Sequence, residues 1–233
     1  MILCDLPYGT TNCKWDVVIP FKPLWEQYLR IIKDNGAIVL TAQQPFATDL
    51  INSARKYFRY EIIWEKTQKM GFLNANKMPL KGHENVLIFY KKLPTYNPQK
   101  TMAPKDKMSW GRTRKTRSGK YEGYTSYNSG TYTDTGERYP SSVIKISNWN
   151  GALFGKTERA VKHPTQKPVE LFAWLIKTYS NPGEVILDNC SGSGTTAIAC
   201  IREDRRYICF EKDLNYFNYS LERVSTEVAK AIA

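Results

Sequence analysis

The sequence predicts an α/β layered sheet. Short apolar strands alternate with amphipathic helices, two strands run into turns built from small or rigid residues, and 233 residues suffice for one sizeable core. Hydrophobic residues make up 42% of the chain, with 6 Trp, 15 Tyr and 9 Phe, a composition of folded globules rather than disordered chains. No apolar run reaches membrane-spanning length and no basic-then-apolar leader follows Met1, so the expectation is a cytoplasmic protein without a membrane partner. Five cysteines (Cys4, Cys13, Cys190, Cys200, Cys209) are odd in number and form no C-x-x-C pair. That argues against a disulfide framework and against zinc, and no metal is expected.

The chain opens on "MILC", an apolar strand that meets Asp5-Leu6-Pro7-Tyr8 at its carboxyl end. In "KPLWEQYLRIIKDN" (22–35), Leu24, Trp25, Tyr28, Leu29 and Ile32 recur at helical spacing, and Gly36 is the expected stop. "AIVLT" (37–41) reads as a buried strand and 45–58 as a second helix. "YEIIWEK" (60–66) and "ENVLIFYKK" (84–92) are strands by their β-branched and aromatic content, with Trp64 and Phe89 assigned to the core. His83, just before the second of these, is read as structural. Residues 94–142 lose all periodicity and are rich in Gly, Ser, Thr, Pro, Lys, Arg and Tyr. Order returns with a helix over 168–180, a strand over 184–188, a tight loop "CSGSGTT" (190–196) into "AIACIRED", a strand over 206–211 and a last helix from about Asn215.

Lys and Arg outnumber Asp and Glu 34 to 22, a net charge of +12. Residues 91–120 hold ten basic side chains against the single acid Asp106, so most of the excess forms one patch. That patch is interleaved with Trp110, Tyr121, Tyr124, Tyr127, Tyr132 and Tyr139, which suit either stacking on bases or a small core.

Three stretches carry chemistry. In "ILDNCSGSGTTAIAC" (186–200) a strand ends in an acid, a small-residue turn follows, and a helix begins. Such a turn lets the backbone approach a ligand and offers free N–H groups, and Glu211, some twenty residues on, is placed to accept hydrogen bonds from a ribose. The same pattern also serves plain packing, and it is no P-loop, because the required Lys is missing. "HPTQKPVEL" (163–171) reads alone as a proline-stiffened loop before a helix. In "DLPY" (5–8), Pro7 stiffens the turn, Tyr8 offers a flat face and Asp5 offers acceptors for an exocyclic amine, at the sheet edge where open α/β folds bind ligands. A β-turn with a structural tyrosine would look similar.

These three stretches together, with the catalytic turn first, the basic region next and the lead-in and glycine loop last, resemble the DNA amino-methyltransferases of the permuted (beta) class, which use S-adenosylmethionine. The resemblance covers 1–92 and about 160–223. It implies a Rossmann-like methyltransferase sheet with helices on both faces, formed by 1–93 and 161–233, and an inserted basic target-recognition region over 94–160. Asp5, Leu6, Pro7 and Tyr8 would form the catalytic turn, with Asp5 and the Leu6 carbonyl gripping the target amine. Asp188, Cys190, Ser191, Gly192, Ser193, Gly194, Thr195 and Thr196 would cradle the methionine end of the cofactor. Thr165, Gln166 and Lys167 would close over it, Glu211 would bind the ribose, and Lys212 and Asp5 complete the cofactor set. Lys105, Lys107, Arg112, Arg114, Lys115, Arg117 and Lys120 would meet the phosphates of double-stranded DNA.

The implied chemistry is coherent. An aromatic amine is a poor nucleophile because its lone pair is delocalised into the ring. Two acceptors on its hydrogens draw the nitrogen towards tetrahedral geometry, and the rest is in-line placement. The target atom lies inside the duplex stack, so the base must be flipped out, with Tyr8 receiving it. An acid at position 5, where many cytosine-N4 members carry serine, resembles the adenine-N6 branch. Cytosine-N4, RNA, or a DNA-binding relative without a complete cofactor site remain the alternatives. Only Met1 to Cys4 precede Asp5 here, so the expectation is either that Met1 is an internal methionine of a longer ancestral chain or that the wall beside the cofactor's adenine comes from elsewhere, such as a second subunit of a homodimer.

Overall fold

The computed structural model describes residues 1–104, 106, 113–116, 130–148 and 166–232. In chain order its elements are β1 (Ile2–Asp5), α1 (Phe21–Ile31), β2 (Ile38–Ala42), α2 (Phe46–Ser53), β3 (Phe58–Met70), β4 (Lys81–Phe89), β5 (Thr101–Met102), β6 (Thr113–Thr116), β7 (Gly130–Thr133), β8 (Glu137–Arg138), β9 (Val143–Ile146), α3 (Val169–Tyr179), β10 (Val185–Asp188), α4 (Thr195–Arg202), β11 (Arg206–Cys209) and α5 (Leu214–Ile232). Two compact units result: Met1–Asn97 with Ser142–Ala233, and Pro98–Ser141.

The larger unit is a seven-stranded sheet in the order β11-β10-β1-β2-β4-β3-β9. Parallel pairing joins β11, β10, β1 and β2, whereas β4 runs antiparallel to both of its neighbours. Strand β2, "IVLTA", is buried at every position, as a central strand covered on both faces must be. Alternation along the strands sorts the core into two layers. Leu3, Val39, Val86 and Ile88 face α3 and α4, together with Leu171, Phe172, Leu175, Ile176 and Ala199. Ile2, Cys4, Ile38, Leu40, Leu87 and Phe89 face α1 and α2, together with Leu24, Trp25, Phe46 and Leu50. Helices therefore cover both faces. This topology brings the carboxyl ends of β1, β2 and β10, and the amino end of β4, to one edge of the sheet.

Several boundaries differ from the sequence expectation, each for a local reason. Helix α1 stops at Ile31 rather than running to 35, because Ile32 is extended (ψ 135°). The chain then folds back so tightly that a Cβ on Gly36 would lie 2.7 Å from Ile32 Cδ1, which explains the glycine. Helix α2 ends at Ser53, whose hydroxyl donates back to the Leu50 carbonyl at 2.7 Å and accepts from Trp25 Nε1 at 2.8 Å. The expected strand over 206–211 ends at Cys209, two residues before Glu211.

The stretch read as aperiodic over 94–142, and assigned to an insertion over 94–160, contains regular structure. Its part Pro98–Ser141 is the smaller unit, in which β5 pairs with β8 and β6 with β7, all antiparallel. An Arg138–Asp134 ion pair at 2.7 Å and a Lys100–Glu137 pair at 2.9 Å brace that unit. Val143–Ile146, by contrast, adds a parallel strand to the main sheet beside β3. "VIKI" is four residues of β-branched and charged alternation whose partner lies some eighty positions away, so nothing local marks it as sheet.

No described helix is long and apolar enough to cross a membrane, and the described residues contain no cluster of three or more potential metal ligands. Phe89 is fully buried, 4.9 Å from Trp25 and 5.6 Å from Phe58 between ring centroids. Phe89→Ala is expected to cost about 3–5 kcal/mol through lost burial and a cavity, read as a lower urea midpoint at an unchanged m-value.

Candidate active site

Asp5 ends β1, directly beside Thr41 of β2 in register. Its carboxylate is held from three directions. Tyr8 Oη donates to Oδ1 at 2.7 Å, the Thr41 hydroxyl donates to the same oxygen, and the Lys167 ammonium contacts Oδ2 at 2.9 Å. Burial, with the charges of Asp5 and Glu84 nearby, pushes the Tyr8 phenol well above its ordinary value, so Tyr8 remains a donor. Its ring stacks on Phe46, centroids 5.2 Å apart, and the Lys167 ammonium lies 5.3 Å from its centroid. Leu6 is 4% exposed, its side chain packed into the core layer beneath α1 and α2.

The chain beyond Tyr8 is tied down by Asp16. Its carboxylate accepts from the backbone N–H of Gly9 at 2.8 Å, Thr10 at 3.0 Å and Thr11 at 2.7 Å. Gly9 has φ +68°, and a Cβ there would lie 2.9 Å from Val18 Cγ2, so the turn suits glycine twice over. Burial opposes ionisation of Asp16, but the Thr11 hydroxyl and the three amides outweigh it and lower its value.

Strand β10, next to β1, delivers the glycine loop. Asp188 lies beneath it, 2% exposed, accepting from the Cys190 N–H at 3.0 Å and from the Thr196 hydroxyl. Burial raises its carboxyl to about 6, against hydrogen bonds from Thr196, Cys190 and Cys4 that lower it. Gly192 (φ +52°) and Gly194 (φ +79°) are left-handed, and a Cβ at Gly194 would lie 2.9 Å from Ser220 Cβ on α5. The second glycine is thus required by helix packing as well as by backbone angle. Glu211 clasps the loop, accepting from the Gly192 N–H at 2.8 Å and the Asp213 N–H at 2.7 Å. Ser191 and Cys190 line the loop, and Lys212 is exposed at its rim.

The segment before α3 joins the two halves. Gln166 Oε1 accepts from the Ser193 hydroxyl at 2.8 Å and the Lys167 carbonyl accepts from the Thr195 hydroxyl at 3.3 Å, while the Lys167 side chain reaches Asp5. The residues from the opening turn, the glycine loop and "QK" (166–167) are therefore brought together. Thr165, Lys105, Lys107, Arg112, Arg117 and Lys120 lie outside the described residues, and Arg114 and Lys115 are described only as backbone of β6.

Four contributors were not singled out by sequence reasoning. Thr41 and Glu84 were visible only as polar positions in apolar strands. Lys66 donates to Glu84 at 2.5 Å, and Arg223 of α5 donates to the Ser193 carbonyl at 2.5 Å and to its hydroxyl at 2.9 Å, clamping the loop. His83 is exposed on β4.

Comparison with known proteins agrees with this fold. The type II methyltransferase M.HpaI of Haemophilus parainfluenzae is 26% identical over 97% of this chain and 68% of its own length. The solved complex of M1.HpyAVI with SAM superposes with a TM-score of 0.59 at 21% identity, covering 95% of this chain and 87% of that one. The cytosine-N4-specific PvuII DNA methyltransferase superposes equally well, TM-score 0.59 at 14% identity, over 99% of this chain and 84% of its own. Residues 1–222 match the N6/N4 DNA methylase family, and the chain belongs to it.

Proposed function

We propose that the chain transfers the methyl group of S-adenosylmethionine to the N6 amine of an adenine extruded from double-stranded DNA. The observation that carries this reading is the juxtaposition of a held carboxylate, Asp5, with the glycine loop of the neighbouring strand, bridged by the 166–167 segment.

The residues present fit the cofactor. Asp188 is a buried acid whose charge is resisted by its surroundings, so a cationic ligand above the loop would relieve it. Glu211 retains acceptor capacity beyond its two backbone contacts. When bound, S-adenosylmethionine supplies a methyl group already activated on a sulfonium.

The protein's task is placement. Three of the four lone-pair sites of Asp5 are taken by Tyr8, Thr41 and Lys167, leaving one to accept a hydrogen of the target amine. That contact draws the amine lone pair out of conjugation and aims it. Tyr8, its ring stacked on Phe46, is the aromatic surface that would receive the extruded base. A charged acceptor at position 5, rather than a hydroxyl, supports adenine-N6 over cytosine-N4. The basic stretch that contains Lys105, Lys107, Arg112, Arg114, Lys115, Arg117 and Lys120 supplies salt-dependent affinity for the duplex.

Incubation with unmethylated DNA and labelled cofactor, followed by nucleoside analysis, is expected to yield N6-methyladenine; N4-methylcytosine as the product would overturn the base assignment. Asp5→Asn should lower single-turnover transfer by about 10²–10⁴-fold, with calorimetric cofactor affinity within about threefold of the parent.

Asp188 sets a pH dependence. Its value in the folded chain, about 6, lies above its ordinary 3.8, so its contribution to stability is fully present below about pH 4 and lost as pH rises through 6. The shift corresponds to roughly 3 kcal/mol without ligand. Cofactor binding should respond in the opposite sense, because the cation needs the carboxylate: affinity falls by up to about tenfold per unit below pH 6. Asp188→Asn should flatten both profiles, measured by denaturant unfolding and calorimetry between pH 4 and 8.

A further inference from the structure

We propose that Lys167 acts on the target-base side of the site, as the residue that positions Asp5, with Glu84 and Lys66 holding it there. The sequence resemblance places Lys167 over the cofactor. Its side chain goes elsewhere. The ammonium is 2.9 Å from Asp5 Oδ2 and 3.3 Å from Glu84 Oε2, and the residue is only 8% exposed.

Glu84 reaches this edge because β4 runs against its neighbours, which turns its amino end towards the carboxyl end of β1. Its other oxygen binds Lys66 of β3 at 2.5 Å, and Lys66 is equally buried. Four alternating charges, Asp5, Lys167, Glu84 and Lys66, thus form one chain at this edge, the last three buried and Asp5 partly exposed at its open end. Burial opposes the charge on Lys167, but the carboxylates of Asp5 and Glu84 more than offset this and raise it above its ordinary value. Burial opposes the charge on Glu84 too, and Lys167 and Lys66 overcome it.

Stability alone is a poor reason for such a chain, since apolar residues of equal volume often hold a fold as well or better. What apolar residues would not supply is a cation fixed on one oxygen of Asp5. That cation fixes the rotation of the carboxylate, so that the free lone pair points consistently at the incoming amine. Glu84 Oε2 makes no hydrogen bond of good geometry, although it lies within ion-pair range of Lys167. The ammonium is therefore shared unequally, with its better contact on Asp5. The backbone of Lys167 meanwhile accepts from Thr195 at the start of α4. One residue consequently ties the turn that would grip the base to the loop that would hold the cofactor.

This inference rests on the methyl-transfer reading, and its test separates the two. In Lys167→Met, single-turnover transfer at saturating DNA and cofactor should fall at least about 100-fold. Calorimetric affinity for S-adenosylmethionine should stay within about threefold, and 2-aminopurine at the target position should still brighten on binding. In Lys167→Ala, ethylammonium should restore at least about tenfold of the lost rate and the neutral ethanol should not, because charge and not volume is what Asp5 lacks. Glu84→Gln should slow transfer about tenfold with cofactor affinity unchanged, and it decides the matter if the Lys167 variants do not fold. A Lys167→Met enzyme at the parental rate, or equal rescue by both additives, would overturn the assignment, as would an unaltered rate in Glu84→Gln. Loss of more than tenfold in cofactor affinity in Lys167→Met overturns it without any turnover, by making Lys167 a cofactor ligand. A wild-type chain that methylates no DNA refutes the proposed function instead.

Discussion

The contact between Lys167 and Asp5 is the constraint around which the site is organised. It spans 162 positions of sequence and closes only when β1, β10 and the segment before α3 are all in place. Lys167 would not tolerate its burial alone, since an isolated charge in the interior costs several kcal/mol. Together with Asp5, Glu84 and Lys66 it forms a chain with no net charge. The fold must therefore deliver all four groups at once. It does so through sheet register: Asp5 sits opposite Thr41, Thr41 opposite Val86, and Trp64 opposite Glu84.

Register also explains why the chemistry gathers at one edge. Each parallel crossover returns the chain through a helix, so successive strands all end on the same side. The reversal at β4 breaks that rule for one strand, and the break puts an acid where a strand's beginning, rather than its end, meets the site. The two core layers lock this arrangement, because slipping any strand by one residue would exchange its set of buried side chains with the opposite face.

Much of this was legible in the sequence. Strands such as "MILC" and "AIVLT", the rigid turn at Pro7 and the small-residue loop at 190–196 declare themselves through local chemistry. Three things did not. Val143–Ile146 belongs to the sheet only by virtue of β3, and four residues of ordinary β-propensity carry no trace of so distant a partner. Gly194 was open to either a ligand or a packing role, and contact with Ser220 on α5 shows that packing already requires it. The direction of Lys167 was hidden because a motif fixes the backbone path and leaves a four-carbon side chain free to choose among nearby carboxylates. A polar residue inside an apolar strand was the available signal for Thr41 and Glu84. Such positions are ambiguous until the neighbouring strand is known.

The family includes enzymes with two different target amines, and the fold does not distinguish them: a cytosine-N4-specific enzyme superposes on this chain as well as M1.HpyAVI does. Discrimination must therefore come from the few side chains that meet the base. Adenine N6 and cytosine N4 are both conjugated amines beside a ring nitrogen acceptor, so the hydrogen-bonding pattern next to the reacting atom is nearly the same. What differs is the size of the ring system and how far the amine projects when the base is stacked. Tyr8 is fixed against Phe46 and through its hydroxyl to Asp5, so the separation between the Tyr8 ring and the Asp5 carboxylate is set by a rigid triangle. An acceptor on a longer, charged arm at position 5 reaches a different point in that triangle from a serine hydroxyl. With Tyr8 and Asp5 in their proposed roles, base choice would be a matter of distance from a fixed aromatic plane, which the charges behind Asp5 would keep constant.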